Sequence, residues 1–319
     1  MTGLRARPYA PADEETWDDL VSRSWNGTFL HTRRYLSVGR AFTDASLVVE
    51  DARGKLVGVL PAAVHATDAG MIESHPGVAY GGIVHAGELT GLQMVAALEA
   101  VVDRYYHDGR QTLRYKAVPH IYHRVPADDD LYALLRVGAS RSRCDVASVV
   151  DLAARRPPSG RRMRSLRKAQ RSHVEIARGP ESLEALSSVI TGRLAEKFET
   201  EPLHDTAALL RLQSLFPDRV ACVVGLLGGS VVAGSVLYRT GRVDHAQYLA
   251  ADDRGYRTSA LDAVLFDCLD DSERSGVRYF SFGNSTVYGG RVFNEGLFAY
   301  KSGFGAGTVV HESYDLSLA

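Results

Sequence analysis

The sequence predicts an α/β (α+β) fold made of two tandem domains, each a mixed β-sheet flanked by helices. Strand-like segments rich in β-branched residues alternate with amphipathic helical segments, and this alternation favours a layered α/β architecture. Both halves of the chain show the same order: helix, hairpin, strand, long helix, strand, polar loop, short helix, strand. A repeat of this length indicates two domains of one fold rather than a solenoid.

The first half begins with a helix and a hairpin around the turn Asp51-Ala-Arg-Gly54, a signal for two closely joined strands. Acidic residues at 128–130 cap its short helix. The predicted elements are a helix over 11–24, strands over 45–50 and 55–64, a glycine-rich strand near 80, a helix over 89–106, a strand over 111–118, a helix over 128–137 and a strand over 148–152.

The second half repeats this order after a basic segment that Pro157 and Pro158 break near its start. We place the domain boundary there, which gives domains over 1–153 and 173–319 and a basic linker helix over 154–172. The predicted elements that follow are a helix over 183–198, strands over 221–227, 230–238 and 243–250, a helix over 259–274, a strand over 277–282, a helix over 292–300 and a strand over 308–314.

Composition limits the class of protein. Of the 319 residues, 45% are hydrophobic and 24% are charged, which are ordinary globular values. The sequence has no apolar run long enough to span a bilayer and no leader pattern at its start, so we expect a soluble, cytoplasmic protein. Three isolated cysteines argue against a disulfide framework and against a zinc site. A net charge of −1 means that a polyanionic partner requires a local patch.

A polar stretch after the predicted strand over 277–282 is the first candidate for a site. It is rich in Gly, Ser, Thr and Asn, and ligand sites of α/β folds usually lie at the carboxyl ends of strands. Asn284 and Asn294 flank this loop, where they either bind a substrate amide or make Asx turns. Lys301 follows in the last turn of the short helix, where the helix dipole favours a cation.

The motifs along this frame resemble the GNAT acyltransferase fold duplicated in tandem, as in the Fem-like (FemAB/FemX-related) aminoacyltransferases. The resemblance covers nearly the whole chain. It depends on the basic run Arg164-Ser-Leu-Arg167-Lys168-Ala-Gln-Arg171 at the entry to the second domain and on Tyr300-Lys301-Ser-Gly-Phe304, which is similar to the F-K-x-x-F element of that family. It implies an acyltransferase that makes an amide, with the substrate left open.

The resemblance also implies where the substrates lie. The donor is expected between the strands over 243–250 and 277–282, where Tyr248 is a candidate for substrate contact. Lys301 is expected beside the donor carbonyl, where a fixed cation stabilises the oxyanion of a tetrahedral intermediate. The acceptor is expected in the cleft between the domains, where Tyr80 and Gly81 either line a groove or form a strand bulge.

Two histidines are candidates for the general base, because an imidazole titrates near neutral pH. His123 and His204 are chosen since the related subgroup carries them; for each of them a purely structural role is the alternative. The sequence contains no G-x-S-x-G motif and no cysteine in a reactive context, which suits direct attack by an amine without a covalent enzyme intermediate.

The turn over 254–260 stands where a GNAT enzyme holds the pyrophosphate of acyl-CoA on the backbone N–H groups of a helix start. Here Arg257 replaces an expected glycine and Ser259 an expected Gly or Ala, with Thr258 between them. Arg257 either binds a phosphate directly or caps the helix at the surface. This departure disfavours a standard CoA site.

The basic helix offers a second anion site. Four of its cations share one face, opposite Met163 and Leu166: Arg164, Arg167, Lys168 and Arg171. Such a face either meets the phosphates of a tRNA or is a solvated interdomain surface.

These observations favour transfer of an aminoacyl group from aminoacyl-tRNA to the amine of a small molecule or peptide. The first alternative is an acetyl- or acyl-CoA-dependent N-acyltransferase that acts on an amino sugar or another small amine. The second is a binding protein with a decayed GNAT core. No metal and no tightly bound cofactor are expected, so the acyl donor is a co-substrate.

Overall fold

The computed structural model describes residues 3–38, 42–198 and 203–318, and of residues 195–198 it describes only the backbone. Within this part of the chain there are sixteen strands and ten α-helices. The strands are β1 (Arg5–Pro8), β2 (Leu47–Glu50), β3 (Leu56–Leu60), β4 (Ala62–His65), β5 (Asp68–Ser74), β6 (Val84–His85), β7 (Thr112–Lys116), β8 (Ser140–Asp151), β9 (Glu175–Arg178), β10 (Val220–Leu227), β11 (Ser230–Arg239), β12 (Val243–Ala251), β13 (Tyr279–Asn284), β14 (Thr286–Val287), β15 (Val292–Phe293) and β16 (Gly307–Ser317). The helices are α1 (Glu14–Arg23), α2 (Arg33–Leu36), α3 (Leu92–His107), α4 (Asp129–Arg136), α5 (Gly160–Arg171), α6 (Leu183–Phe198), α7 (Thr206–Leu215), α8 (Asp253–Thr258), α9 (Ala260–Arg274) and α10 (Glu295–Ser302).

One mixed sheet of ten strands runs through both halves, in the order β4-β5-β7-β16-β8-β13-β12-β11-β10-β9. A smaller sheet, β1-β2-β3-β6, belongs to the first half, and β14 and β15 form a short hairpin. Two pairs in the large sheet are parallel, β5–β7 and β12–β13, and all its other pairs are antiparallel. Each parallel pair spans a long helix, α3 or α9, as a crossover connection requires.

The halves exchange strands at the centre of this sheet. β16, from the second half, lies between the first-half strands β7 and β8 and pairs with both of them. β8 in turn pairs with β13 of the second half. The prediction of a mixed α/β fold is confirmed, but the two predicted sheets are joined into one.

Four hydrophobic cores hold the layers together. One covers α3 and α4 of the first half, one lies under α1, and one packs α9 against β10–β13. The fourth is shared by the halves, because Tyr80 and Tyr122 of the first half pack in the same cluster as α6 and α7 side chains. The halves therefore meet through buried apolar surface, which is the main favourable contribution to folding.

Some predicted boundaries differ from the structure. The last strand of the first half was expected over 148–152, but β8 begins at Ser140, since pairing with β16 extends it. The helix expected over 292–300 is α10, which begins at Glu295, because Val292 and Phe293 pair with β14 instead. The helix expected over 259–274 is α9, preceded by the extra helix α8.

Candidate functional site

The sheet opens between β12 and β13. These parallel strands pair over only three residues, from Val243↔Tyr279 to His245↔Ser281. Beyond this point β13 stays paired only with β8, up to Asn284↔Ala147, while β12 continues beside β11 with a bulge next to Ala246. Bulges redirect strands and are frequent near active sites. The opening lies where the acyl donor was predicted.

Lys301 closes the end of β13 from α10. Its side chain is buried, and its Nζ donates hydrogen bonds to the carbonyl oxygens of Gly283 (3.0 Å) and Asn284 (2.5 Å). Burial lowers the pKa of Lys301 to about 8. No carboxylate of the described residues forms an ion pair with it. An ammonium group has three N–H donors, so one donor remains for a ligand at this edge.

A hydrogen-bonded chain of side chains crosses the opening. The Nδ1 atom of His245 on β12 lies 3.2 Å from the Tyr122 hydroxyl and 3.1 Å from the Ser281 hydroxyl. Burial lowers the pKa of His245 to about 3, and the charges of His311 and Lys301 act in the same direction. The imidazole is therefore neutral at physiological pH. Sequence reasoning missed His245, because a histidine within an apolar strand shows no partner in the sequence.

His311 on β16 is the second histidine that sequence reasoning missed. It is 3% exposed, and burial lowers its pKa to about 4. Neither ring nitrogen makes a hydrogen bond of normal geometry to the described residues, although the Ala79 carbonyl is near enough to affect its pKa. Asn284 lines the same cavity, and its Oδ1 is also buried without a partner. Buried polar atoms usually have partners, so these orphaned atoms mark a place for a ligand or water.

The two predicted general bases, His123 and His204, form hydrogen bonds with groups other than Lys301. The Nε2 atom of His123 lies 2.9 Å from the Val118 carbonyl, and its Nδ1 faces Asp128 at 3.6 Å. The Nδ1 atom of His204 lies 3.1 Å from the Tyr248 hydroxyl. Burial lowers the pKa of both histidines, that of His204 to about 4. These hydrogen bonds hold the loops that carry His123 and His204, and they do not connect either histidine to Lys301. Tyr248 takes part in this arrangement as the hydrogen-bond partner of His204.

Tyr80 and Gly81 lie behind the wall that His311 forms. The Tyr80 ring is 4.4 Å from the Tyr122 ring and 6.3 Å from the His311 ring, measured between centroids. The Gly81 carbonyl lies 3.3 Å from the Nε2 atom of His31, and a Cβ atom on Gly81 would meet His75 at 2.8 Å. Close approach of side chains accounts for this glycine.

Asn294 begins α10. Its side-chain oxygen accepts a hydrogen bond from the Leu297 amide at 3.0 Å, and the residue is exposed. Of the two interpretations that the sequence left open, the structure shows the capping turn.

The helix start that was compared with a CoA phosphate site is built differently. Residues 253–258 form α8, whose Gly255 amide donates to the Asp252 carboxylate at 2.7 Å. Arg257 is exposed, the Thr258 hydroxyl donates to the Arg254 carbonyl, and Ser259 adopts a left-handed conformation at φ 60° between α8 and α9. The glycine-rich phosphate cradle is replaced by a helix that a carboxylate already caps.

The basic helix α5 has the predicted faces. On the opposite face, Met163 and Leu166 are half-buried. The four cations of the predicted basic face are exposed, and none of them forms an ion pair with a described residue: Arg164, Arg167, Lys168 and Arg171. The sequence did not show that Arg162 anchors this helix. Arg162 is buried, bonds Asp262 of α9 at 2.5 Å and stacks 4.4 Å from the Tyr300 ring of α10. The basic face is thus fixed beside the helix that carries Lys301.

Among the described residues, no group of three or more His, Cys, Asp or Glu side chains is arranged to hold a metal ion. Within the same residues, no helix combines the length and the apolar character that a membrane span needs.

Comparison with known proteins identifies a domain in the second half of the chain. Residues 154–302 match the family model described as an acetyltransferase (GNAT) domain. No curated protein matches the chain by sequence.

Solved structures extend the likeness to the whole chain. FemX shares 11% identity at a TM-score of 0.65, covering 98% of this chain and 97% of FemX. L-PGS from Bacillus licheniformis shares 13% at 0.63, covering 97% and 93%. The tandem GNAT protein of the clavulanic acid biosynthesis pathway shares 14% at 0.54, covering 99% of each. The chain therefore has the fold of FemX and of this tandem GNAT protein, and residues 154–302 carry a GNAT acetyltransferase domain.

Proposed function

We propose that this acyltransferase forms an amide by moving an aminoacyl group from aminoacyl-tRNA to the amine of a small molecule or peptide. The observation that carries the proposal is the exposed cationic face of α5, which Arg162 ties to α9 and α10. Proteins neutralise nucleic-acid phosphates with such unpaired cations. Use of aminoacyl-tRNA would place the reaction in the cytoplasm.

The chemistry needs no covalent enzyme intermediate. The acceptor amine attacks the ester carbonyl, a C–N bond forms, the C–O bond to the terminal ribose breaks, and the ribose oxygen takes a proton. The remaining N–H donor of Lys301 would bind the oxyanion of the tetrahedral intermediate. Loss of such a donor typically costs about 10²–10³-fold in rate.

The structure at α8 also supports tRNA over CoA. Asp252 occupies the first-turn amide of α8, and the neighbouring Asp253 side chain is 80% exposed. Arg254 and Arg193 lie near these carboxylates, at 3.8 Å and 3.9 Å, but the amide that would bind a phosphate already donates to Asp252.

An acyl-CoA-dependent N-acyltransferase remains the second candidate, because residues 154–302 match a model described as an acetyltransferase domain. Its acceptor would be an amino sugar or another small amine.

The donor is tested by supplying the purified protein with a panel of amines and either aminoacylated tRNA or acetyl-CoA, with and without RNase. The proposal expects amide product from charged tRNA only, abolished by RNase. Product that forms from acetyl-CoA and survives RNase would establish the second candidate. Absence of product from every donor, with Lys301→Ala binding tRNA like the parent, would point to a decayed, non-catalytic core.

The tRNA contact is tested by fluorescence anisotropy across a KCl series. The double variant Arg164→Gln/Arg167→Gln should reduce the slope of log affinity against log salt by about two contacts, roughly 1.4–1.8. The matched control is Arg23→Gln/Arg136→Gln, which removes two exposed arginines from first-half helices. An equal change in the control would contradict the role of α5.

A further inference from the structure

A polar cavity of about 320 Å³ lies between first-half strands and the loop that follows β13. Its wall includes side chains from β5, β7, β8 and β16, so the strand exchange builds it. Six of the lining side chains are charged: Glu73, Arg114, Lys116, Arg143, Asp145 and Arg291. The cavity therefore contains four cations and two carboxylates, and it is not part of the donor opening described above.

Three of these cations already have carboxylate partners. Lys116 pairs with Glu73 at 3.1 Å and Arg143 with Asp145 at 2.5 Å, while Arg114 pairs with Asp315 at 2.8 Å. Arg291 is exposed and forms no ion pair with the described residues. One positive charge at the rim is thus available for an anion.

The cavity also has unsatisfied polar atoms in its wall. Both ring nitrogens of the buried His311 and the Oδ1 atom of Asn284 lack normal hydrogen bonds to the described residues. Neutral imidazole provides one acceptor nitrogen, and an amide oxygen is an acceptor as well. A ligand that satisfies them must bring hydrogen-bond donors, and a primary amine has this character.

The cavity and the donor opening share one wall. The Asn284 side chain lines the cavity, while the Asn284 carbonyl accepts a hydrogen bond from Lys301. His311 is near enough to His245, at the mouth of the opening, to affect its pKa. An amine held by His311 and Asn284 would therefore lie beside the carbonyl of the acyl donor, whose oxyanion Lys301 would bind.

We propose that this cavity is the acceptor site and that it takes an amine which also carries a carboxylate or phosphate group. Arg291, at the rim, faces the anion, and His311 faces the amine. The inference rests on the proposed amide-forming function. The acceptor's ammonium group loses one proton to water before attack, the neutral amine donates an N–H hydrogen bond to His311, and the amine proton lost after attack goes to the leaving ribose oxygen.

The test is a binding measurement without any acyl donor, so that its outcome does not depend on whether tRNA or CoA is used. Calorimetry and NMR of the histidine ring signals are recorded with two matched pairs of probes. L-lysine is compared with 1,5-diaminopentane for the carboxylate, and glucosamine 6-phosphate with glucosamine for the phosphate.

The anionic member of at least one pair should bind about tenfold or more tightly than its neutral partner and shift the His311 ring signals. Whichever pair shows the difference identifies the anion. Arg291→Gln should remove most of this preference, whereas Arg143→Gln should remove less of it, because Asp145 already compensates the Arg143 charge. Arg141→Gln is the control, because Arg141 lies on the same strand as Arg143 and pairs with Glu312 but does not line the cavity.

Equal binding of both members in both pairs, no binding of any probe, or the same loss in Arg141→Gln would each overturn the proposal. Melting curves of the three variants show whether each is folded, and Arg291→Gln changes only an exposed side chain. Preferential binding combined with failure of tRNA-dependent transfer would keep the acceptor site and reject only the donor.

Discussion

The two parallel strand pairs of the large sheet begin alike and end differently. β5–β7 and β12–β13 each pair over three residues. Beyond β5–β7 the first half inserts its own chain: the Gly81 amide donates to the Lys116 carbonyl, and the Lys116 ammonium donates to the Val78 carbonyl and pairs with Glu73. Beyond β12–β13, the second half places Lys301 against two backbone carbonyls.

This difference favours the second half as the place of the proposed chemistry. Both lysines are buried, and burial lowers the pKa of each, but Glu73 opposes the effect at Lys116. Lys301 has no carboxylate partner among the described residues. Its charge is therefore free to stabilise an anion that arrives with the substrate, whereas that of Lys116 is already compensated.

The largest expected effect is that of Lys301→Ala on the transfer rate. The variant loses the cation at the end of β13, so the transfer rate should fall about 100-fold or more. Arg136→Ala, at the exposed end of the corresponding first-half helix α4, should retain the parent rate. The rates of product formation decide the matter, and equal rates in Lys301→Ala and the parent would show that Lys301 is only structural.

Arg162→Met tests how α10 is held. It leaves Asp262 buried without its partner and should lower the free energy of unfolding by about 3–5 kcal/mol. Arg164→Met, on the exposed face of the same helix, should change it by less than about 0.5 kcal/mol. Urea denaturation measures both. Similar losses in the two variants would contradict an anchoring role for Arg162.

Asp130→Asn tests a buried carboxyl group of the first half that makes stability depend on pH. Asp130 on α4 accepts a hydrogen bond from the Tyr115 hydroxyl at 2.8 Å, and burial raises its pKa to about 7. The folded protein therefore keeps a proton that the unfolded chain releases, so stability falls as the pH rises from about 4 to 7. The variant should lack this component and be more stable at pH 8, by on the order of 2 kcal/mol. Melting across pH measures it, and an unchanged slope would contradict it.

The smallest expected effect is a loss of activity at alkaline pH that depends on Lys301. If its charged form is needed, activity should fall above pH 8, about tenfold by pH 9, because its pKa is about 8. Lys301→Arg keeps its charge and should not show this decline, whatever its absolute rate. An alkaline decline that persists in Lys301→Arg would belong to another group.

Much of the fold was readable in the sequence because it depends on local patterns. Helix periodicity, hairpin turns and their repetition predicted the order of elements, and Lys301 was found through a motif. The exchange of β8 and β16 could not be read, because it pairs residues far apart in the sequence with no local signal. For the same reason His245 and His311 were missed: each is an isolated polar residue in a strand, and only tertiary structure gives them neighbours.

The exchange of β8 and β16 has a consequence for how the chain folds. Arg114 and Asp315, which bond across β7 and β16, are 201 residues apart. The first half cannot complete its part of the sheet until residues 307–317 have left the ribosome. Contacts of such long sequence separation slow folding and leave strand edges open to aggregation meanwhile. Until then, the edges of β7 and β8 that face β16 have no native strand partner.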